Sequence, residues 1–216
     1  MHLTVIAKQP RPGFVKTRLC PPCTPAQAAE LAAAALADTL DAVDDLAHRS
    51  SIPVRRVLLF DGDPTEWARP GYAVVEQRGH GLGERLANAF DDLGPGIIVG
   101  MDTPRAIGSL GPGLDALRRG CDAIGLATDG GYWAIGLHDA GRPCMPSTYS
   151  LFEGVEMSGS NTGMAQLARL HAHQRNVHHL AMARDLDIFD DVVAAANHRD
   201  QGRLADAARA IVAVIR

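Results

Sequence analysis

Four cationic side chains, Lys8, Arg11, Lys16 and Arg18, fall on one short stretch stiffened by Pro10, Pro12 and Gly13. Arginine offers a planar fork to phosphate oxygens and lysine a compact charge, and a proline-rich loop loses less entropy on closing over a ligand, so polyphosphate binding is the chemistry expected here. A solvated surface loop has the same composition. Position argues for the ligand: a strand-like run from His2 to Ala7 ends where the loop begins, and α/β proteins bind ligands at the carboxyl ends of their strands. Asp61, then Gln77 with Gly79, Gly81 and Gly83, and then Asp102 follow three further strand-like runs. In a parallel sheet all of them share one edge with the cations.

Asp102 follows a run that is apolar on both faces, which brings its carboxylate to the rim as a hard oxygen ligand for Mg²⁺ or Mn²⁺. Capping of the Asp-Thr-Pro turn is the alternative. Gly79, Gly81 and Gly83 lack the spacing of a dinucleotide fingerprint and do not follow the first strand, which disfavours a hydride-transfer cofactor. They would let a flat base or sugar approach the backbone, with Gln77 offering both an amide donor and an acceptor. Lys16-Thr17 is preceded by Gly13 alone, so no nest of amides is implied and side chains would hold the phosphate. Asp129-Gly130-Gly131-Tyr132 reads either as a carboxylate and ring beside an acceptor or as a tight connection between strands. One aspartate of Arg184-Asp185-Leu186-Asp187 could be a second metal ligand, although helix capping explains them almost as well. Cys20-Pro-Pro-Cys23 could be a redox pair or an incidental pair in a turn, and no second such pair completes a zinc site. His171, His173, His178 and His179 read as surface or packing residues. There is no Ser-His-Asp arrangement and no G-x-S-x-G elbow, so hydrolysis through a covalent nucleophile is unsupported.

The elements that must position these groups alternate. Strands are expected at His2–Ala7, Arg56–Phe60, Tyr72–Gln77, Gly96–Met101, Cys121–Ala127, Tyr132–Leu137 and His178–Ala181. Helices are expected at Ala26–Ala47, Glu84–Leu93, Leu110–Arg119, Asn161–His173 and Asp191–Val214, with residues 139–160 as a Gly/Pro/Ser-rich loop. That order predicts an α/β fold, a mostly parallel central sheet flanked by helices. A chain of 216 residues fits one domain spanning 1–216. An apolar fraction of 46% with 21% charged residues is ordinary for a soluble protein, and a net charge of -4 argues against a nucleic-acid partner. No run approaches the roughly 20 apolar residues of a membrane span, and the start reads as a strand, not a signal peptide, so a cytoplasmic location is expected.

Four motifs carry a resemblance: Ala-Lys-x-Pro-x-Pro-Gly-x-Val-Lys-Thr-Arg-Leu at 7–19, Gln-Arg-Gly-x-Gly-Leu-Gly-Glu-Arg-Leu at 77–86, Gly-x-Asp-Thr-Pro at 100–104 and Asp-Gly-Gly-Tyr-Trp-Ala-Ile-Gly-Leu at 129–137. The chain resembles a bacterial family of the glycosyltransferase-A superfamily, whose Rossmann-like fold serves nucleotide-diphospho-sugar transferases and sugar-phosphate or phospholactate nucleotidyltransferases. The resemblance implies a transferase with a nucleotide or nucleotide-sugar donor, a small-molecule acceptor and Mg²⁺ or Mn²⁺. By it, Lys8 to Arg18 line the phosphates, Gln77 to Gly83 the base, Asp102 and more weakly Asp187 the metal, and Asp129 to Tyr132 the acceptor, with Lys16, Arg18 and Asp102 catalytic. Arg105-Ala106 departs from the Pro-x-Leu continuation of relatives, and Thr103-Pro104 leaves no paired-aspartate motif at 102–104, which favours nucleotidyl over glycosyl transfer. The base, the acceptor and the oligomeric state, a homo-oligomer included, stay open.

Overall fold

The computed structural model describes residues 1–141, 147–198 and 201–215. Its strands are β1 (His2–Lys8), β2 (Arg55–Asp61), β3 (Tyr72–Glu76), β4 (Gly96–Gly100), β5 (Asp122–Leu126), β6 (Tyr132–Leu137) and β7 (Val177–His179). They form one sheet in the order β3-β2-β1-β4-β6-β5-β7. Every pairing is parallel except those of β6, which runs against both β4 and β5. The chain leaves β1 toward β2 on one side and toward β4 on the other, so the carboxyl ends of β1 and β4 flank the switch point where open α/β sheets take ligands. Most residues of β1, β2 and β4 are buried, as expected of parallel strands covered on both faces.

The helices are α1 (Pro25–Arg49), α2 (Gly81–Leu93), α3 (Gly111–Arg118), α4 (Thr162–Ala172), α5 (Phe189–Asn197) and α6 (Arg203–Ile215). A capping box starts α1: Thr24 Oγ1 accepts from the Gln27 amide at 3.2 Å and Gln27 Oε1 from the Thr24 amide at 2.8 Å. Leu36, Leu40 and Val43 then face the sheet core with Leu3, Val5 and Leu58. Leu31 and Ala35 face a second core shared with α5 and α6. Each buried Leu or Val contributes ~2 kcal/mol, which fixes α1 and therefore the loop that precedes it. Among the described residues no helix is long and apolar enough to cross a membrane.

Most helix ends fall within two residues of expectation, and two features differ by more. The expected helix at Asp191–Val214 is two helices, because His198 turns extended at the end of α5. The Asp38 carboxylate of α1 then starts α6, accepting from the Arg203 and Leu204 amides at 3.2 and 2.9 Å. The expected Glu84 start of α2 moves back to Gly81, since Glu84 Oε2 accepts from the His80 amide at 2.8 Å and closes the turn ahead of it. Within the expected loop at 139–160, residues 142–146, Cys144 included, lie outside the described residues.

Candidate functional site

The cationic loop leaves β1 at Lys8 and is pinned by two buried apolar residues. Val15 packs on Ala29 and Ala32 of α1, and Leu19, fully buried, packs on Cys23, Ala28 and Leu31. Those anchors turn Lys16 and Arg18 the other way, into a cleft of about 410 Å³ lined by Lys8, Phe14, Lys16, Arg18, Asp129 and Asp187. Gly13, at φ 81, makes the turn that permits this, and Lys16 itself is held at φ 48, a left-handed conformation that costs a lysine on the order of 1 kcal/mol. Lys16 Nζ bonds Asp102 Oδ2, with the two side chains 13% and 20% exposed. Arg18 Nη1 donates to Asp187 Oδ2 at 2.7 Å and its Nη2 to the Ser158 carbonyl at 3.3 Å. Asp102 is set by its neighbours. A Cβ at Gly100 would lie 2.9 Å from Asp102 Oδ1, so glycine leaves room for the carboxylate, and Thr39 of α1 donates to the Met101 carbonyl at 3.0 Å.

The electrostatics centre on four aspartates. Burial opposes the Lys16 ammonium, yet Asp102, then Asp187 and Asp185, hold its pKa above the ordinary lysine value. Hydrogen bonding and charge from Asp187, with Asp129 and Asp185 further off, raise Arg18. Burial, followed by the charges of Asp102 and Asp129, pushes the Asp185 carboxyl up to about 6. Asp102, Asp129, Asp185 and Asp187 thus crowd negative charge around two cations at one sheet edge. Crowded hard oxygen donors of this kind suit Mg²⁺ or Mn²⁺; Asp102 and Asp187, the expected pair, meet Lys16 and Arg18, and Asp185 adds a further carboxylate close enough for Asp102 to raise its pKa.

Other expected residues lie elsewhere on the edge. Arg11 is exposed, and its charge is felt at Asp63, where two bonds from Thr65 and then Arg11 hold the carboxyl below its usual value. Gln77 spends its amide inside the fold: Nε2 donates to the Ala7 and Leu59 carbonyls at 2.7 and 3.1 Å, and Oε1 accepts from Arg85 at 2.9 Å. Arg85 also bonds Asp61 at 2.7 Å, so Asp61 and Gln77 tie the ends of β1 and β2 together. Gly79 sits at φ 118 against Asn88 and Glu84, whereas Gly81 and Gly83 fall in the first turn of α2. In the Asp129–Tyr132 motif the glycines are structural. Any side chain at Gly130 would strike the Ser160 backbone, and the Gly131 amide donates to Asp129 Oδ1 at 2.8 Å. The Tyr132 hydroxyl faces Met157 Sδ at 3.6 Å, and burial raises its pKa. Asp129 alone of the four faces the cleft. Asp185 and Arg85 were the residues sequence reasoning left without a firm role; the i, i+2 spacing of Asp185 and Asp187 was the available signal for the former. Cys23 is buried and its thiol is pushed up by burial and by Cys20, the reverse of a reactive thiolate.

Among the described residues a different cluster, Asp122, His138 and Asp139, brings three donor atoms within 4.8 Å. It lies at the opposite sheet edge and already encloses a cation. Arg175 Nε donates to Asp122 Oδ2 at 2.7 Å, its Nη2 to Asp122 Oδ1 at 3.0 Å and its Nη1 to Asp139 Oδ2 at 3.0 Å.

Comparison with solved structures bears out the fold. A protein from Desulfovibrio desulfuricans G20, provisionally designated a nucleotide-diphospho-sugar transferase, superposes with a TM-score of 0.82 at 24% identity, covering 100% of this chain and 98% of its own. Rv0371c from Mycobacterium tuberculosis H37Rv gives 0.54 at 19% identity over 92% of this chain and 100% of its own. No curated protein matches the sequence. Residues 27–159 match the family described as an uncharacterized protein conserved in bacteria, DUF2064. That span is more than half of the chain and runs through Asp102 and the Asp129 turn, and the protein belongs to this family.

Proposed function

We propose that this chain is a metal-dependent nucleotidyltransferase acting on a nucleoside triphosphate and a small phosphorylated acceptor. The observation that carries the reading is the convergence of Lys16 and Arg18 with Asp102, Asp129, Asp185 and Asp187 at the β1/β4 switch point. Lys16 and Arg18 would bind the triphosphate and offset the charge of the leaving group. An oxygen of the acceptor phosphate attacks the α-phosphorus in line, the bond to the bridging β-phosphate oxygen breaks, and pyrophosphate departs. A divalent ion held by Asp102 and Asp185 would supply further charge neutralisation at the phosphates. Positioning and electrostatics suffice for such a transfer, so no covalent nucleophile is required. The name given to the Desulfovibrio protein points instead to a nucleotide-sugar donor. Against that reading stands Thr103-Pro104 in place of a second aspartate.

The test is a thermal-shift panel of nucleoside triphosphates and nucleotide sugars with and without Mg²⁺ or Mn²⁺, followed by turnover with phosphorylated acceptors. A metal-dependent rise in melting temperature with a triphosphate and release of pyrophosphate are expected. Stabilisation by nucleotide sugars alone would move the assignment to glycosyl transfer, and binding without turnover across the acceptors would leave a nucleotide-binding module.

A further inference from the structure

The four aspartates form a seam, and the Lys16/Arg18 cleft occupies only one side of it. On the other side Asp102 and Asp185 border a second chamber of about 510 Å³, whose walls include Thr103, Arg105, Ala106, Met182, Arg184 and Ala194. It lies between the turn after β4, the segment after β7 and α5, and brings together the Asp102-Thr103-Pro104 and Arg184-Asp185 segments, which the sequence presents only as separate motifs. The motif expected to face the acceptor offers little room for one, because Gly130 is packed on Ser160 and the Tyr132 hydroxyl on Met157.

We infer that this chamber holds the body of the acceptor, a small organic anion with a compact apolar part. Three observations carry it. Asp102 lines the chamber and bonds Lys16 of the cleft, so a molecule in the chamber has its reactive end beside a nucleotide held by Lys16. Alanines 106 and 194 and the exposed Met182 supply apolar wall, and Arg184 supplies a guanidinium group that a carboxylate or phosphate would engage, while Arg105 shares the wall and donates to the Ala195 carbonyl at 3.5 Å. Arg184 is 55% exposed and 3.6 Å from Asp191, a loose pair that an incoming anion can replace. Thr103, 2% exposed, belongs to the same wall with its hydroxyl buried and unpartnered, a polar group left without the hydrogen bond that buried hydroxyls normally have. The assignment of this body to an acceptor rests on the transferase reading; the chamber's preference for an anion does not.

Amide chemical shifts of the ¹⁵N-labelled full chain, titrated with phenyl phosphate, benzoate, benzyl alcohol and inorganic phosphate, test it. Phenyl phosphate or benzoate should shift the amides of Ala106, Ala183 and Ala195 saturably, the stronger of the two deciding between phosphate and carboxylate. Benzyl alcohol and inorganic phosphate should each bind about tenfold more weakly. Ala194→Phe, which fills the chamber, should abolish the shifts, and Arg184→Ala, on the surface and thus tolerated by the fold, should weaken them about tenfold. Equal binding of benzyl alcohol, shifts confined to Lys16–Arg18, or no shifts would overturn the inference. If neither a triphosphate nor a nucleotide sugar stabilises the chain while the chamber amides still respond, the transferase reading falls and the chamber stands.

Discussion

Lys16 and Arg18 both meet aspartates, but their surroundings make the two pairs unequal. Lys16→Ala removes a charge-assisted hydrogen bond from a site 13% exposed, and affinity for a triphosphate should fall about 30-fold, the ~2 kcal/mol of such a bond; titration calorimetry measures it. Arg18 is 57% exposed, so Arg18→Ala should reduce nucleotide affinity while changing stability by less than about 1 kcal/mol. Asp185 gives a pH signature. Its folded pKa of about 6 lies above the ordinary 3.8, so the folded chain binds more protons between those values. The resulting stabilisation is complete below 3.8 and is lost as pH rises through about 6. Asp185→Asn should therefore match the parent near pH 4 and exceed it at pH 7.5 by ~1–2 kcal/mol, discounted for partial exposure, or about 3–6 °C in Tm. Buried His2, lowered to about 4 chiefly by burial, titrates in both proteins and cancels in the difference. A constant offset across that range would remove Asp185 as the cause.

At the level of elements, the regular parts of the fold were legible in the sequence because their patterns are local. The apolar runs of β1, β2 and β4 and the Thr24-Pro25 start of α1 state their structure within a few residues. The break between α5 and α6 was not legible, since the helix-forming residues on both sides conceal it and the group that begins α6 is Asp38, 165 positions away from Arg203. The same limit applies to the site. Lys16 and Asp102 announced themselves by following strands, whereas the spending of the Gln77 amide on Ala7 and Leu59 depends on how three strands end together. Asp38→Ala should test the α6 cap. It leaves the Arg203 and Leu204 amides without their acceptor and should cost about 1–2 kcal/mol, seen as a lower urea midpoint with unchanged m-value. Loss should appear first in hydrogen exchange of α6 and α5, which pack on one another, and leave β1 protected.

Across the whole molecule the sheet separates two uses of buried charge. At the carboxyl edge of β1 and β4, aspartates are crowded until one resists ionisation, an arrangement that costs stability and suits a ligand. At the opposite edge, Asp122, fully buried, receives Arg175 Nε at 2.7 Å and the His138 amide and Nδ1 at 3.1 and 2.8 Å, an arrangement that is complete without one. Burial opposes the Arg175 charge, but Asp122 and Asp139 hold its pKa above the ordinary arginine value. Arg175→Met keeps most of the side-chain volume and removes the charge, leaving the Asp122 carboxylate buried and under-neutralised. The expected cost is about 3–5 kcal/mol, or a fall of about 10 °C in Tm. Because the guanidinium fills the Asp122–His138–Asp139 cluster, Mn²⁺ without nucleotide should not stabilise the parent through it, yet could partly restore Arg175→Met by taking the vacated donors. Nucleotide affinity of the folded variant should stay within about twofold of the parent, since sites this far apart with no shared partners act nearly independently. Measured together, Tm and nucleotide affinity should therefore move apart: Arg175→Met loses stability and keeps binding, whereas Asp185→Asn gains stability and loses metal-dependent binding. If both variants lost binding in proportion to Tm, the two edges would be one cooperative unit, and the division of roles across the sheet would be wrong.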